Sequence, residues 1–215
     1  MAKASELLQV AQKQLGVRES PPSSNNVKYN TWYYGHEVSG KAYPWCMVFV
    51  QWVFSQAGVL LPVRTASCGR MMEDAKKAGL WVTKDYRPGD VAIFNFQGGA
   101  DTDHCGIIEQ VTKTGVVSIE GNTGNTSDAD GGQVQRRNRS ETVIVGAVRP
   151  SYDKEEETEM MRYNTVAECP SWAQATIQKL VDKGTLNGTG AGLDLSHDTV
   201  RLLVILDREG IFDRG

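Results

Sequence analysis

Pro44-Trp45-Cys46-Met47-Val48-Phe49-Val50-Gln51-Trp52-Val53-Phe54-Ser55-Gln56-Ala57-Gly58 is the stretch on which the reading of the fold turns. Proline ahead of the run and glycine just past it are the expected punctuation of a helix. The strongly apolar interior predicts a helix from Cys46 to Ala57, with a thiol on its first turn. The first-turn amides favour thiolate over thiol, the setting of a reactive cysteine. A buried cysteine acting as a small hydrophobe fits the same stretch equally well. The surrounding chain has to decide between the two.

Before this helix, Leu7, Leu8, Ala11 and Leu15 recur at helical spacing up to Gly16, predicting a first helix over about 3–15. Residues 17–43, rich in Pro, Ser, Asn, Gly and Tyr, read as a long ordered loop, a feature that is usually functional. After it, a third helix is expected over about 67–78, ending at Gly79. Strands follow at Val91 to Phe96, His104 to Val111, Val116 to Glu120 and Val143 to Val148. The turn at Thr114-Gly115 makes the second and third a hairpin. Helices first and an antiparallel sheet afterwards place the chain in the α+β class.

The 215 residues suffice for one mid-sized domain, over 1–150, and a small one. Residues 1–149 carry 16 Lys/Arg against 14 Asp/Glu, a net of +2, and residues 150–215 carry 7 against 12, a net of −5. This balance gives no argument for nucleic acid. The basic cluster Arg136-Arg137-Asn138-Arg139 reads as a solvated loop. The chain opens directly into an amphipathic helix with no secretory signal pattern, and no apolar run is long enough to span a membrane. Cys46, Cys68, Cys105 and Cys169 form no CxxC pair, which argues against structural zinc. Cys68 and Cys169 read as structural or incidental. Residues 151–162, with their Glu-rich run, read as an acidic linker. Two short helices are expected beyond it, over about 171–183 and 196–209, in a segment with little core of its own that needs a partner surface.

A nucleophilic cysteine needs a base and a group that orients the base. His104 opens a strand, where its ring can project toward the start of the Cys46 helix. Glu120 and Asn122 end the neighbouring strand two residues apart, so both are expected to approach the imidazole from one side. An acceptor on Nδ1–H would leave Nε2 for sulfur. Cys105, next to His104, is expected to point to the opposite face and to be buried and inert.

These motifs in series resemble a CHAP domain: Pro44-Trp45-Cys46 opening an apolar helix, Arg87-Pro88-Gly89-Asp90 before a strand, Asp103-His104-Cys105-Gly106, and Ile119-Glu120-Gly121-Asn122. This is the cysteine, histidine-dependent amidohydrolase/peptidase family, with a papain-like fold. Gln14-Leu15-Gly16 and Ser24-Asn25-Asn26-Val27-Lys28-Tyr29 are similar to versions in phage endolysins and bacterial autolysins. The resemblance implies hydrolysis of a peptidoglycan amide bond, by an N-acetylmuramoyl-L-alanine amidase or a peptide endopeptidase. It implies Cys46 as nucleophile, His104 as base and then acid, Glu120 as the group orienting His104, and Asn122 as further polar support. Trp45, Tyr29 and Tyr43 are the expected substrate-groove residues, the two tyrosines also as oxyanion donors.

Some members bind calcium through an Asp-rich loop before the nucleophile. Here Tyr34-Gly35-His36-Glu37-Val38-Ser39-Gly40-Lys41 has no Asp, so no metal and no cofactor are expected. The last segment, with Trp172-Ala173, Ile177, Leu180, Arg201 and Arg208, resembles a small module at the ends of endolysins from Gram-positive hosts. That likeness implies attachment to a glycan or secondary wall polymer, with a self-associating helical hairpin as the alternative. The Glu-rich run ahead of Met160-Met161 suggests an internal start and a free copy of this module. An endolysin is expected to be made in the cytoplasm and to reach the wall after membrane permeabilisation. A wall-remodelling autolysin and a non-hydrolytic wall-binding protein are the competing readings.

Overall fold

The computed structural model describes residues 2–98, 102–153 and 162–213. The chain divides into two units, residues 1–155 and 156–215. In the first, α1 (Ala4–Gln12) buries Leu7 and Ala11 and ends three residues earlier than the periodicity suggests. Residues 13–16 turn instead, and the Gly16 amide donates to the Val134 carbonyl at 3.0 Å, so tertiary pairing stops the helix. The segment 17–43 is not all loop: α2 (Lys28–Tyr34) lies within it and ends at Gly35, whose φ of 80° needs a glycine. Aromatic and asparagine residues carry no helical period there. α3 (Cys46–Ala57) buries eight of its residues and ends at Gly58. α4 (Cys68–Lys77) starts at Ser67, whose side chain accepts from the Arg70 amide.

The sheet strands are β1 (Trp81–Val82), β2 (Val91–Phe94), β3 (His104–Val111), β4 (Gly115–Thr123), β5 (Gln133–Ser140) and β6 (Ile144–Val148). They run in the order β1-β6-β2-β3-β4-β5, with every pairing antiparallel. β1 and β5 are additions to the expected strands. β5 holds the basic cluster that read as a solvated loop. Its polar sequence suits an edge strand, and it pairs with β4 along nearly its full length. Alternation along β3 and β4 sends Cys105, Ile107 and Ile119 into the core packed with α3, while Ile108 and Val116 pack with Phe94 on the other face.

Two motif residues prove to be joints. Asp90 is buried and takes two hydrogen bonds from the Arg149 guanidinium, at 2.8 and 3.1 Å, tying the start of β2 to the end of β6. Gly121 lies where β4 meets α3: a Cβ there would stand 2.5 Å from the Phe49 Cβ and 2.8 Å from the Trp45 ring. The Phe49 Cβ is fixed to its backbone and cannot step aside. Gly121→Ala is therefore expected to destabilise the protein by about 1–3 kcal/mol through overpacking. A lower urea midpoint with an unchanged m-value would register it.

The second unit comprises β7 (Arg162–Tyr163), α5 (Ser171–Asp182), β8 (Leu195–Ser196) and α6 (His197–Arg208), with β7 and β8 paired antiparallel. Tyr163, Cys169, Ala173, Ile177, Leu195, Val200 and Val204 form a buried core. The β7–β8 pair adds to the two expected helices and closes this small core. Most of the acidic linker and both Met160 and Met161 lie outside the described residues. Among the described residues no helix is long and apolar enough to cross a membrane.

Candidate active site

Cys46 is the first residue of α3, and its N-cap, Trp45, offers no side-chain hydrogen bond to the helix start. First-turn N–H groups have no intrahelical acceptor, so their positive ends stay directed at the sulfur region. Cys46 is 6% exposed. Hydrogen bonding by the Cys105 and Cys68 thiols, then the interaction with the positively charged His104 imidazole, holds the Cys46 pKa well below the ordinary thiol value despite burial.

His104 is fully buried at the first position of β3, beside the Phe94 and Phe96 rings. Its Nε2 lies 3.1 Å from Glu120 Oε2, and its Nδ1 has no hydrogen-bond partner. The ring orientation is the reverse of the sequence expectation: Nε2 is tied to the carboxylate, leaving Nδ1 as the nitrogen available to Cys46. Burial works against the imidazolium, but the interactions with Cys46 and Glu120 outweigh it and raise the pKa to about 9. A depressed thiol and an elevated imidazole constitute a thiolate–imidazolium pair.

Glu120 is fully buried, and burial pushes its pKa up, yet Arg139 and His104 bring it below the usual carboxylate value. Arg139 grips it bidentately, Nε to Oε1 at 2.8 Å and Nη2 to Oε2 at 2.6 Å. The Ser118 hydroxyl donates to Oε1 at 2.6 Å. Arg139 reaches onward to Asp128, Nη1 to Oδ1 at 2.7 Å. Charges thus alternate from Cys46 through His104, Glu120 and Arg139 to Asp128. Sequence reasoning missed Arg139, since the Arg-rich cluster gave no sign that one of its members turns inward. Gly106 makes room for this network: a Cβ there would fall 2.5 Å from Glu120 Cγ.

Asn122 departs from expectation. Its φ is 57° and the β4–β5 register slips between Glu120 and Thr123, so strand alternation fails at this point. Its Nδ2 lies 3.4 Å from the Ala129 carbonyl and from Asp130 Oδ1, and its buried Oδ1 is unpartnered. It makes no hydrogen bond to His104. Trp45 and Tyr29 are likewise corrected: both are fully buried, stacked with centroids 5.5 Å apart, and so cannot line an open groove. The Trp45 indole donates to Glu19 at 2.8 Å, and the Tyr29 hydroxyl contacts Gln14 at 3.2 Å. Tyr43 is half-buried, edge-on to Tyr34.

Cys105 does point away from the His104 face, but that direction leads to the start of α3. The sulfurs of Cys46, Cys68 and Cys105 all lie within 4.8 Å of one another, with Cys46 and Cys68 3.9 Å apart. Burial pushes the Cys105 thiol well up. The Cys105 contact pulls the Cys68 thiol down, but the Cys46 contact and burial prevail and raise it. Of the three, Cys46 is the one that ionises.

The CHAP domain family model matches residues 38–125, which contain Cys46, His104, Glu120 and Asn122. Residues 38–125 form a CHAP domain. The CHAP domain implies a cysteine/histidine amidohydrolase or peptidase. Arg139 stands outside the matched segment, on β5. No curated protein matches the chain. Similar solved structures include the wild-type endolysin LysIME-EF1, at 18% identity over 76% of this chain and 70% of that one, with a TM-score of 0.44. Another is Ly7917, at 16% identity over 69% of this chain and 62% of that one, with a TM-score of 0.41.

The second unit carries a pocket of about 360 Å³ lined by Trp172, His197, Arg201, Val204, Ile205 and Arg208. Trp172 is 45% exposed and meets the His197 ring edge-on. His197 Nδ1 is held by the Tyr163 hydroxyl at 2.9 Å.

Proposed function

We propose that this protein is a peptidoglycan hydrolase of the endolysin type, cutting a wall amide bond with Cys46 as nucleophile. The observation that carries the reading is the buried Cys46–His104–Glu120–Arg139 series opening at a helix start. The Cys46 thiolate attacks the amide carbonyl, and first-turn N–H groups of α3, that of Cys46 among them, receive the oxyanion. His104 donates its proton to the departing amine, leaving a thioester on Cys46. Neutral His104 then takes a proton from water, hydroxide adds to the thioester, and the adduct collapses to the Cys46 thiolate and a carboxylic acid, which loses its proton to solvent. Glu120, held by Arg139, keeps Nε2–H engaged and stabilises the imidazolium through both halves.

The second unit is read as the wall-attachment module. An exposed indole beside two guanidinium groups suits a sugar ring bearing negative charge: the ring stacks on Trp172, while Arg201 and Arg208 face its anionic substituents. Tethering to an insoluble polymer raises the concentration of scissile bonds around the catalytic unit. Mass spectrometry of fragments released from purified peptidoglycan tests the function. A new free amine on the stem alanine, with a free lactyl carboxylate, marks an amidase. A new amine on a stem or cross-bridge residue marks an endopeptidase. Release of glycan ends without any new amine contradicts amide hydrolysis.

A further inference from the structure

Three thiols converge at the active site from elements far apart in sequence: Cys46 opens α3, Cys68 opens α4, and Cys105 is the second residue of β3. A catalytic cysteine needs one sulfur, and the mechanism uses neither Cys68 nor Cys105 as a reacting group. Their spacing is that of a ligand set. Tetrahedral zinc holds thiolates at about 2.3 Å, which puts bound sulfurs about 3.8 Å from one another. Cys46 and Cys68 already stand 3.9 Å apart, and every sulfur pair lies within 4.8 Å. The gap that remains is at most about 1 Å for any sulfur pair.

Two further observations describe the surroundings of the sulfurs. Cys46 and Cys68 each stand at a helix start, on first turns that bring two of the three sulfurs to one point. His104 Nδ1, beside the sulfurs in the catalytic series, is buried without a hydrogen-bond partner. No nitrogen of His104 is among the ligand atoms that lie within 4.8 Å of one another, so the set brought together is the three sulfurs, and a water completes a tetrahedron.

We propose that Cys46, Cys68 and Cys105 form an inhibitory site for Zn²⁺, with a water as fourth ligand. Each sulfur donates a lone pair to the ion. The three thiols reach the thiolate state by releasing protons to solvent, the Cys46 proton by way of His104. No electron is transferred, so a chelator reverses the binding. The ion occupies the lone pair that attacks the substrate, and hydrolysis stops. The inhibitory half of this proposal rests on Cys46 being the nucleophile; metal binding does not.

Cobalt(II) substitution in the full chain under reducing conditions tests the site without an activity assay. The expected result is one ion per chain, a near-ultraviolet thiolate-to-cobalt charge-transfer band with the intensity of three thiolates, and tetrahedral visible bands that Zn²⁺ abolishes. A band with the intensity of one thiolate, or none, overturns the proposal. Cys68→Ala and Cys105→Ala, each confirmed as folded by circular dichroism, are expected to weaken Co²⁺ binding at least 100-fold. Wild-type affinity in either folded variant overturns it as well. In wall-hydrolysis assays, equimolar Zn²⁺ is expected to lower the rate of the full chain more than 10-fold and EDTA to restore it. Full activity with the metal demonstrably bound contradicts the inhibitory role. A chain that binds Co²⁺ through three thiolates but releases no wall fragments refutes the proposed function and leaves the metal site standing.

Discussion

Cys46→Ala is expected to abolish wall hydrolysis, with a loss of roughly 10⁴-fold or more, the scale seen when a catalytic nucleophile is removed from a unit of cooperating groups. The expectation follows from the uneven treatment of the thiols. Hydrogen bonds and the His104 charge lower the pKa of Cys46, whereas burial and neighbouring sulfur raise those of Cys68 and Cys105. Alanine removes one nearly buried sulfur from the start of α3 and leaves the helix otherwise intact. Stability should therefore fall by little more than about 1 kcal/mol, the low end for a small core truncation. Turbidity loss of a wall suspension, read beside circular dichroism of the variant, checks both halves. Retained binding to walls with no hydrolysis fits the account. Residual lysis close to wild type shows that another group performs the attack.

The second large effect is expected at Arg139. Glu120 has no solvent contact, and its carboxylate keeps its charge because Arg139 makes two hydrogen bonds to it and Ser118 a third. Arg139→Ala leaves that charge with His104 as its one remaining ionic partner inside the sheet, a change that costs up to about 3–5 kcal/mol. For a protein of this size the melting temperature should drop on the order of 10 °C. Hydrolysis should fall as well, by about 100-fold, because a carboxylate without its guanidinium takes up a proton and no longer stabilises the imidazolium. Glu120→Gln combined with Arg139→Met separates the two roles. Removing both charges should restore most of the lost stability, since neither is left buried alone, and should leave hydrolysis impaired. Equal stability of Arg139→Ala and wild type, measured by thermal and urea unfolding, would refute the charge series as an organising element of the site.

The parts of this fold carried by local patterns were legible in the sequence. The α3 helix from Cys46 to Ala57 follows from its apolar run and terminal residues, and β3 spans His104 to Val111 as expected. What escaped depends on pairings between distant residues. Arg139 sits among arginines that face solvent, and only its register opposite β4 turns it toward Glu120. Asn122 was assigned by alternation, which fails because its backbone is left-handed at a register slip. Trp45 and Tyr29 looked available to substrate as aromatics near the nucleophile. Their polar tips instead find Glu19 and Gln14 inside the protein, which lets the rings be buried completely. Cys68 and Cys105 have no CxxC spacing, and their approach to Cys46 results from two helix starts and one strand meeting at a point. Strand alternation placed Cys105 on the correct face without revealing what lay there.

The central claim is that Cys46 rests as a thiolate paired with imidazolium His104. The pH dependence of Cys46 alkylation by iodoacetamide, followed by peptide mass spectrometry in metal-free buffer, tests it most directly. The Cys46 pKa is depressed and that of His104 is raised to about 9, so both charges persist between the two values. The account predicts an alkylation rate that is nearly flat from neutral pH up to about 9 and declines only well below the ordinary thiol range. His104→Ala should convert that profile into one rising toward alkaline pH. A wild-type rate that climbs through a single titration near the unperturbed thiol value of about 8.5 would contradict the ion pair and, with it, the proposed mechanism.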